Sequence, residues 1–128
     1  MKRGFTFLEL IIVIIILGIL ATLGFSQYTK LIERGRTAEA KLVLGTIRSA
    51  EETYFAENSA YTGTITDLLV SVPTACTVTS YFSYGTTAAV ATATRCSAGG
   101  KAPQGPATPY TITLTYAGAV WGGSAGYF

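Results

Sequence analysis

The sequence predicts an α+β fold: one long N-terminal helix packed on a small antiparallel β-sheet. Three observations lead there. Residues 5–25 form an almost unbroken apolar run, with Leu10 to Leu23 interrupted only by Gly18 and Thr22. Residues 26–59 keep a helical spacing of apolar and paired charged residues. Beyond Asp67 the usage shifts to Thr, Tyr, Val, Gly and Ala, the vocabulary of strands and turns. At 128 residues there is room for one small domain plus an appendage, and no more.

As a helix, residues 5–25 would extend roughly 31 Å, the thickness of a bilayer core. Lys2 and Arg3 precede the run, and a basic pair there stays on the cytoplasmic side, which sends everything after Phe25 outward. A secretory signal peptide has a similar outline, with Ala21 as the nearest candidate cleavage position. Glu9 sets this segment apart. A carboxylate at the head of an apolar run is costly to bury alone and marks a functional position. No cation lies within the segment to pair with it, so Glu9 either reaches back to the interface or meets a charge supplied from elsewhere.

After Phe25 the pattern becomes amphipathic. Tyr28, Leu31, Ile32, Leu42, Val43, Ile47, Ala50 and Tyr54 fall close to one helical stripe, expected to cover the sheet. Glu33 with Arg36, Arg36 with Glu39, and Arg48 with Glu51 and Glu52 stand three or four apart, where opposite charges meet on a helix. Gly35 and Gly45 suggest close packing. Phe25, Tyr28, Tyr54 and Phe55 suggest packing before any stacking chain. The helix should fray near Asn58 and Ser59, ahead of the turn signal Tyr61-Thr62-Gly63.

In residues 60–128 the strand candidates are Thr77 to Tyr84, Thr86 to Arg95 and Tyr110 to Tyr116, with a short last one at Val120-Trp121. The third alternates Ile112, Leu114 and Tyr116 with Thr111, Thr113 and Thr115, so one face can cover the helix. Gly85 suits a hairpin turn, and residues 99–106 read as a long loop. Cys76 and Cys96 stand 20 apart, in neither redox nor zinc spacing. In an exported chain a disulfide is the leading reading, and a pair of free buried thiols the alternative.

Fourteen of the sixteen charged side chains lie at or before Asp67, and no carboxylate follows it. A formal charge of +2 with no basic cluster argues against direct nucleic-acid binding. Histidine is absent, and Ser and Thr have no base to activate them, so neither a catalytic site, a metal site nor a cofactor is expected.

The run Lys2-Arg3-Gly4-Phe5-Thr6-Phe7-Leu8-Glu9, followed by the apolar stretch, resembles the class III signal of type IV pilins and secretion pseudopilins. The resemblance is close over about 25 residues and general in plan beyond. It implies residues 1–4 as a leader, cleavage between Gly4 and Phe5 by a prepilin peptidase, and N-methylation of Phe5. Glu9 then pairs with the Phe5 amine of a neighbouring copy. The implied product is a helical homo-oligomer, held in the inner membrane as a precursor and polymerised into an extracellular filament by pilus or secretion machinery. The family's frequent proline is replaced here by Ser26, so any helix break there rests on Gly24 and Ser26. The alternatives are a minor pilin or a pseudopilin, and a secreted or tethered binding module. The calcium-binding major pseudopilin branch is disfavoured, because residues 68–128 offer no carboxylate.

Overall fold

The computed structural model describes residues 4–103 and 109–127. Lys2, Arg3 and part of the expected 99–106 loop lie outside those residues. Helix α1 spans Phe7–Asn58, 52 residues or roughly 78 Å without interruption. Gly24 and Ser26 lie inside this continuous helix, and the Ser26 hydroxyl donates to the Leu23 carbonyl. The helix ends where Ser59 turns left-handed (φ 56°) and its N–H donates to the Phe55 carbonyl at 2.8 Å.

Four strands follow in simple order: β1 (Phe82–Thr86), β2 (Val90–Arg95), β3 (Thr111–Thr115) and β4 (Trp121–Gly123). Each pairs antiparallel with its neighbour in the sequence. The first strand starts later than expected. Residues 77–80 form a turn, closed by the Thr77 N–H on the Ser80 hydroxyl and the Ser80 N–H on the Thr77 carbonyl. The hairpin turn is likewise displaced. Gly85 pairs with Thr92 within the ladder, and Thr87 to Ala89 make the bend, with the Thr87 hydroxyl accepting from the Ala89 and Val90 amides. Inward-facing Phe82 and Tyr84 fix that register, since a one-residue slip would turn both outward.

The core lies between the second half of α1 and one face of the sheet. Ala40, Leu44 and Ile47 meet Phe82, Tyr84, Ala91, Ala93, Ile112, Leu114 and Tyr116. Ala40, Ala91 and Ala93 are fully buried, and their small side chains let the helix cross β2 and β3 closely. The alternation expected of β3 is observed, with Ile112, Leu114 and Tyr116 buried.

The helix face that docks differs from the apolar stripe. Its buried residues are Thr29, Glu33, Thr37, Ala40, Leu44, Ile47 and Glu51, whereas Tyr28, Leu31 and Leu42 are exposed. Only Ile47 of the expected stripe is fully buried; Val43, Ala50 and Tyr54 flank the core. Two carboxylates in the buried face, Glu33 and Glu51, leave the intrahelical pairs expected of them, while the expected Arg48–Glu52 pair forms. Glu33 turns to the sheet, Arg36 lies over the Tyr81 ring at 3.7 Å, and only Arg48 with Glu52 forms a described i,i+4 ion pair. Gly35 and Gly45 face open space and meet no packing neighbour among the described residues. Phe25 and Tyr28 are also uncovered, and of the four helix aromatics only Tyr54 flanks the core, while Phe55 lies 4.6 Å from the Tyr61 ring.

Candidate functional site

The N-terminal segment is built on a local hydrogen-bond motif. Thr6 is the helix cap: its hydroxyl accepts from the Glu9 amide at 3.2 Å. The Glu9 carboxylate accepts in return from the Thr6 amide at 2.9 Å and the Thr6 hydroxyl at 2.8 Å. This reciprocal arrangement satisfies donors that a helix start otherwise leaves open. Glu9 therefore has partners inside its own segment, though no cation among the described residues. The signal was present as Thr-x-x-Glu before an apolar run, and Thr6 is the residue that charge-based reasoning overlooked.

Gly4 and Phe5 precede the cap in extended chain, with Phe5 84% exposed. From there the apolar half of α1 lies outside the domain. Phe7, Leu8, Leu10, Ile12 and their successors to Phe25 stand exposed around the helix. An 18-residue window of this helix, none of it buried, is long and apolar enough to cross a membrane. Such a surface is stable in lipid or against similar helices, and not in water.

The other half of α1 is held by two buried polar clusters. In the first, Arg95 (2% exposed) makes a forked pair with Glu33 (1% exposed), Nε and Nη2 donating to the two carboxylate oxygens at 2.9 and 3.0 Å. The Tyr110 hydroxyl donates to the same carboxylate at 3.0 Å, and Arg95 Nη1 donates to the Tyr81, Cys96 and Lys101 carbonyls. Burial, then the Glu33 charge, push the Tyr110 phenol well above its ordinary range. In the second cluster Glu51 accepts from the Thr62 amide and the Thr86 hydroxyl, both at 3.0 Å. Thr86 also hydrogen-bonds the Tyr116 hydroxyl. Burial pushes that phenol up to about 12.

Cys76 and Cys96 form a disulfide with Cα atoms 5.7 Å apart. It ties the segment before β1 to the residue after Arg95, so bridge and ion-pair cluster share one corner. No group of three or more acidic, Cys or His residues placed to hold a metal occurs among the described residues.

Comparison with known proteins bears on the same segment. The prokaryotic N-terminal methylation motif matches residues 1–25. The N-terminal part of the chain is similar to type IV major pilins. Over 60 residues the chain is 38% identical to the type IV major pilin protein PilA of Myxococcus xanthus, covering 47% of this chain and 27% of that one. Over 53 residues it is 40% identical to the type IV major fimbrial protein FimA of Dichelobacter nodosus, covering 41% and 34%. The chain thus spans about a third or less of the length of these pilins in the match. In this pilin-type segment Gly4, Phe5, Thr6 and Glu9 stand together at the head of the uncovered helix.

Proposed function

We propose that the chain is the structural subunit of a type IV pilus-like filament, polymerised through residues 5–25 after cleavage behind Gly4 and methylation of the new Phe5 amine. The observation that carries this reading is the contrast between the two halves of α1. One is clamped by a buried ion pair and a second buried carboxylate, and the other is apolar around its circumference and stands exposed among the described residues. A surface of that kind serves as a membrane anchor in the precursor and as a filament core once subunits bundle.

Lipid and a helix bundle are similarly apolar, so close packing and polar pairing must bias the exchange. The Glu9 carboxylate, already oriented by Thr6, provides such a pairing with the Phe5 amine of an adjoining copy. Cleavage after Gly4 leaves the Thr6 amide inside a peptide bond, so the cap survives maturation and a cation appears one residue before it. Methylation keeps the positive charge while adding apolar surface. A subunit out of register would leave a carboxylate unpaired in a dry core, which penalises misassembly. The prepilin peptidase and the assembly machinery are the partners this route requires, and the inner membrane is the precursor's site. Mass spectrometry of the mature chain tests the reading. It predicts N-methyl-Phe5 as the first residue, and an intact Met1 or a start after Ala21 would overturn it.

A further inference from the structure

The face of α1 turned away from the sheet is uncovered from Tyr28 to Ser49 among the described residues. At about 100° per residue, Tyr28, Leu31 and Leu42 fall on one line, roughly opposite the buried Glu33, Leu44 and Ile47. They are 60, 67 and 76% exposed. Single exposed apolar side chains are ordinary on a protein surface, whereas an aligned set marks a contact face. On the same line stand Gly35, Ala38, Gly45 and Ser49, all exposed, and a Cβ added at either glycine would meet nothing. Glycine in an exposed helix interior weakens the helix relative to alanine, and no packing among the described residues offsets that loss. The steps from Tyr28 to Ser49 alternate three and four, the seven-residue repeat of a seam between packed helices.

Two further observations say what covers this seam. It runs without a break from the apolar residues 7–25, because α1 is one continuous helix. Its flanks carry opposite charge, with Lys30, Arg34 and Lys41 on one side and Glu39 and Glu57 on the other, none of them in an ion pair among the described residues. Copies set side by side in one direction around a common axis bring the basic flank of each against the acidic flank of the next. The pattern of sizes fixes an offset. In register, Leu42 would stand against Leu42 and Gly35 against Gly35, leaving clash at one level and a void at the other. Displaced by one repeat of seven residues, roughly 10 Å, Tyr28 stands against Gly35, Leu31 against Ala38 and Leu42 against Ser49, so every large side chain meets a small one. We propose that the 28–49 face of α1 is an interface with a second copy of this chain, parallel and displaced by seven residues. Resting on the filament reading, this interface adds to it a register device outside the apolar half, whose all-round Ile and Leu surface specifies no offset.

The test is made on fibres of the full chain. Fibres carrying Gly35→Cys together with Leu42→Cys should give a ladder of covalent multimers on mild oxidation, read on a non-reducing gel, and fibres with either substitution alone should not. Gly35→Leu separates assembly from folding. It should raise the subunit's folding equilibrium about threefold in urea unfolding, because leucine is the better helix former, and cut sheared-fibre yield about tenfold by filling the hollow. Leu42→Ala should leave subunit stability nearly unchanged, since that side chain is 76% exposed, and also cut fibre yield about tenfold. Glu39→Lys should lower yield about threefold, more at low salt than at high, and Lys41→Glu added to it should restore most of the loss. Normal yield from both Gly35→Leu and Leu42→Ala, no ladder from the double cysteine variant, or equal ladders from the single ones would overturn the proposal. So would Leu42→Ala precursor lost from the membrane fraction with fibres unaffected, which would assign the face to the lipid surface. Absence of fibres from the unmodified chain would instead remove the filament reading, and this interface with it.

Discussion

Replacing Glu33 by Leu should remove one half of the buried pair that fastens α1 to the sheet. The Arg95 guanidinium would then stay 2% exposed, held only by carbonyls of Tyr81, Cys96 and Lys101, with its counter-charge gone. Breaking a buried pair from one side typically costs about 3–5 kcal/mol, and the forked geometry at 2.9 and 3.0 Å places this pair in that class. For a domain of this size such a loss lowers the melting temperature by roughly 10–25 °C. The double variant Glu33→Leu with Arg95→Met removes both charges, and its loss should be about 2 kcal/mol or less, below the Glu33→Leu loss alone. Thermal unfolding of the full chain in detergent, followed by near-ultraviolet circular dichroism of the tyrosine-rich core, separates the effects. A Glu33→Leu cost under about 1 kcal/mol, or a double variant worse than either single one, would refute the assignment of this pair as the fastening.

Substituting Ser for both Cys76 and Cys96 should destabilise the outer domain by about 3 kcal/mol, the chain-entropy value for a loop of this length, measurable by urea unfolding. Gly100→Ala should cost about 1–3 kcal/mol in the same assay, because the added Cβ would stand 2.6 Å from Cys96 Cβ. High pH should unfold the domain: Tyr84 and Tyr116 hold their protons to about 12 in the fold against about 10 in the open chain. The folded state then binds more protons, so stability is intact below pH 10 and lost as pH rises through 12. Tyrosinate absorbance should show the two phenols, with Tyr110, ionising late and together with unfolding. Glu9→Ala should leave membrane insertion unchanged and sharply reduce filament yield, read from sheared-fibre fractions; normal yield would dismiss the charge pairing. Gly4→Lys should leave uncleaved precursor and no fibres, and ordinary fibres of uncleaved chain would contradict the maturation route.

The parts of the fold set by local pattern were legible in the sequence. The apolar run, the alternation around Ile112 and Leu114, and the residue shift after Asp67 each follow from a short-range period. The docking face of α1 was not, because its decisive members are Thr29, Glu33, Thr37 and Glu51. A helical wheel assigns such residues to solvent. The two carboxylates, Glu33 and Glu51, are buried with partners that come from Arg95, Thr62 and Thr86, 62, 11 and 35 residues away, while the Thr29 and Thr37 hydroxyls donate to carbonyls of their own helix. The β1 boundary moved for a similar reason, since Thr77 and Ser80 bond one another and compete with the ladder their composition favours. At the N-terminus Thr6 was readable in principle. Its spacing to Glu9 is a local cap signal, eclipsed by the search for a charge partner.

The filament reading rests on what surrounds residues 7–25 and on what approaches Glu9. A high-resolution reconstruction of native fibres measures both at once. It should place these helices packed against one another in the fibre interior, with each Glu9 carboxylate within ion-pair distance of a neighbouring Phe5 amine. Helices splayed into solvent, or Glu9 side chains remote from every terminal amine, would contradict it.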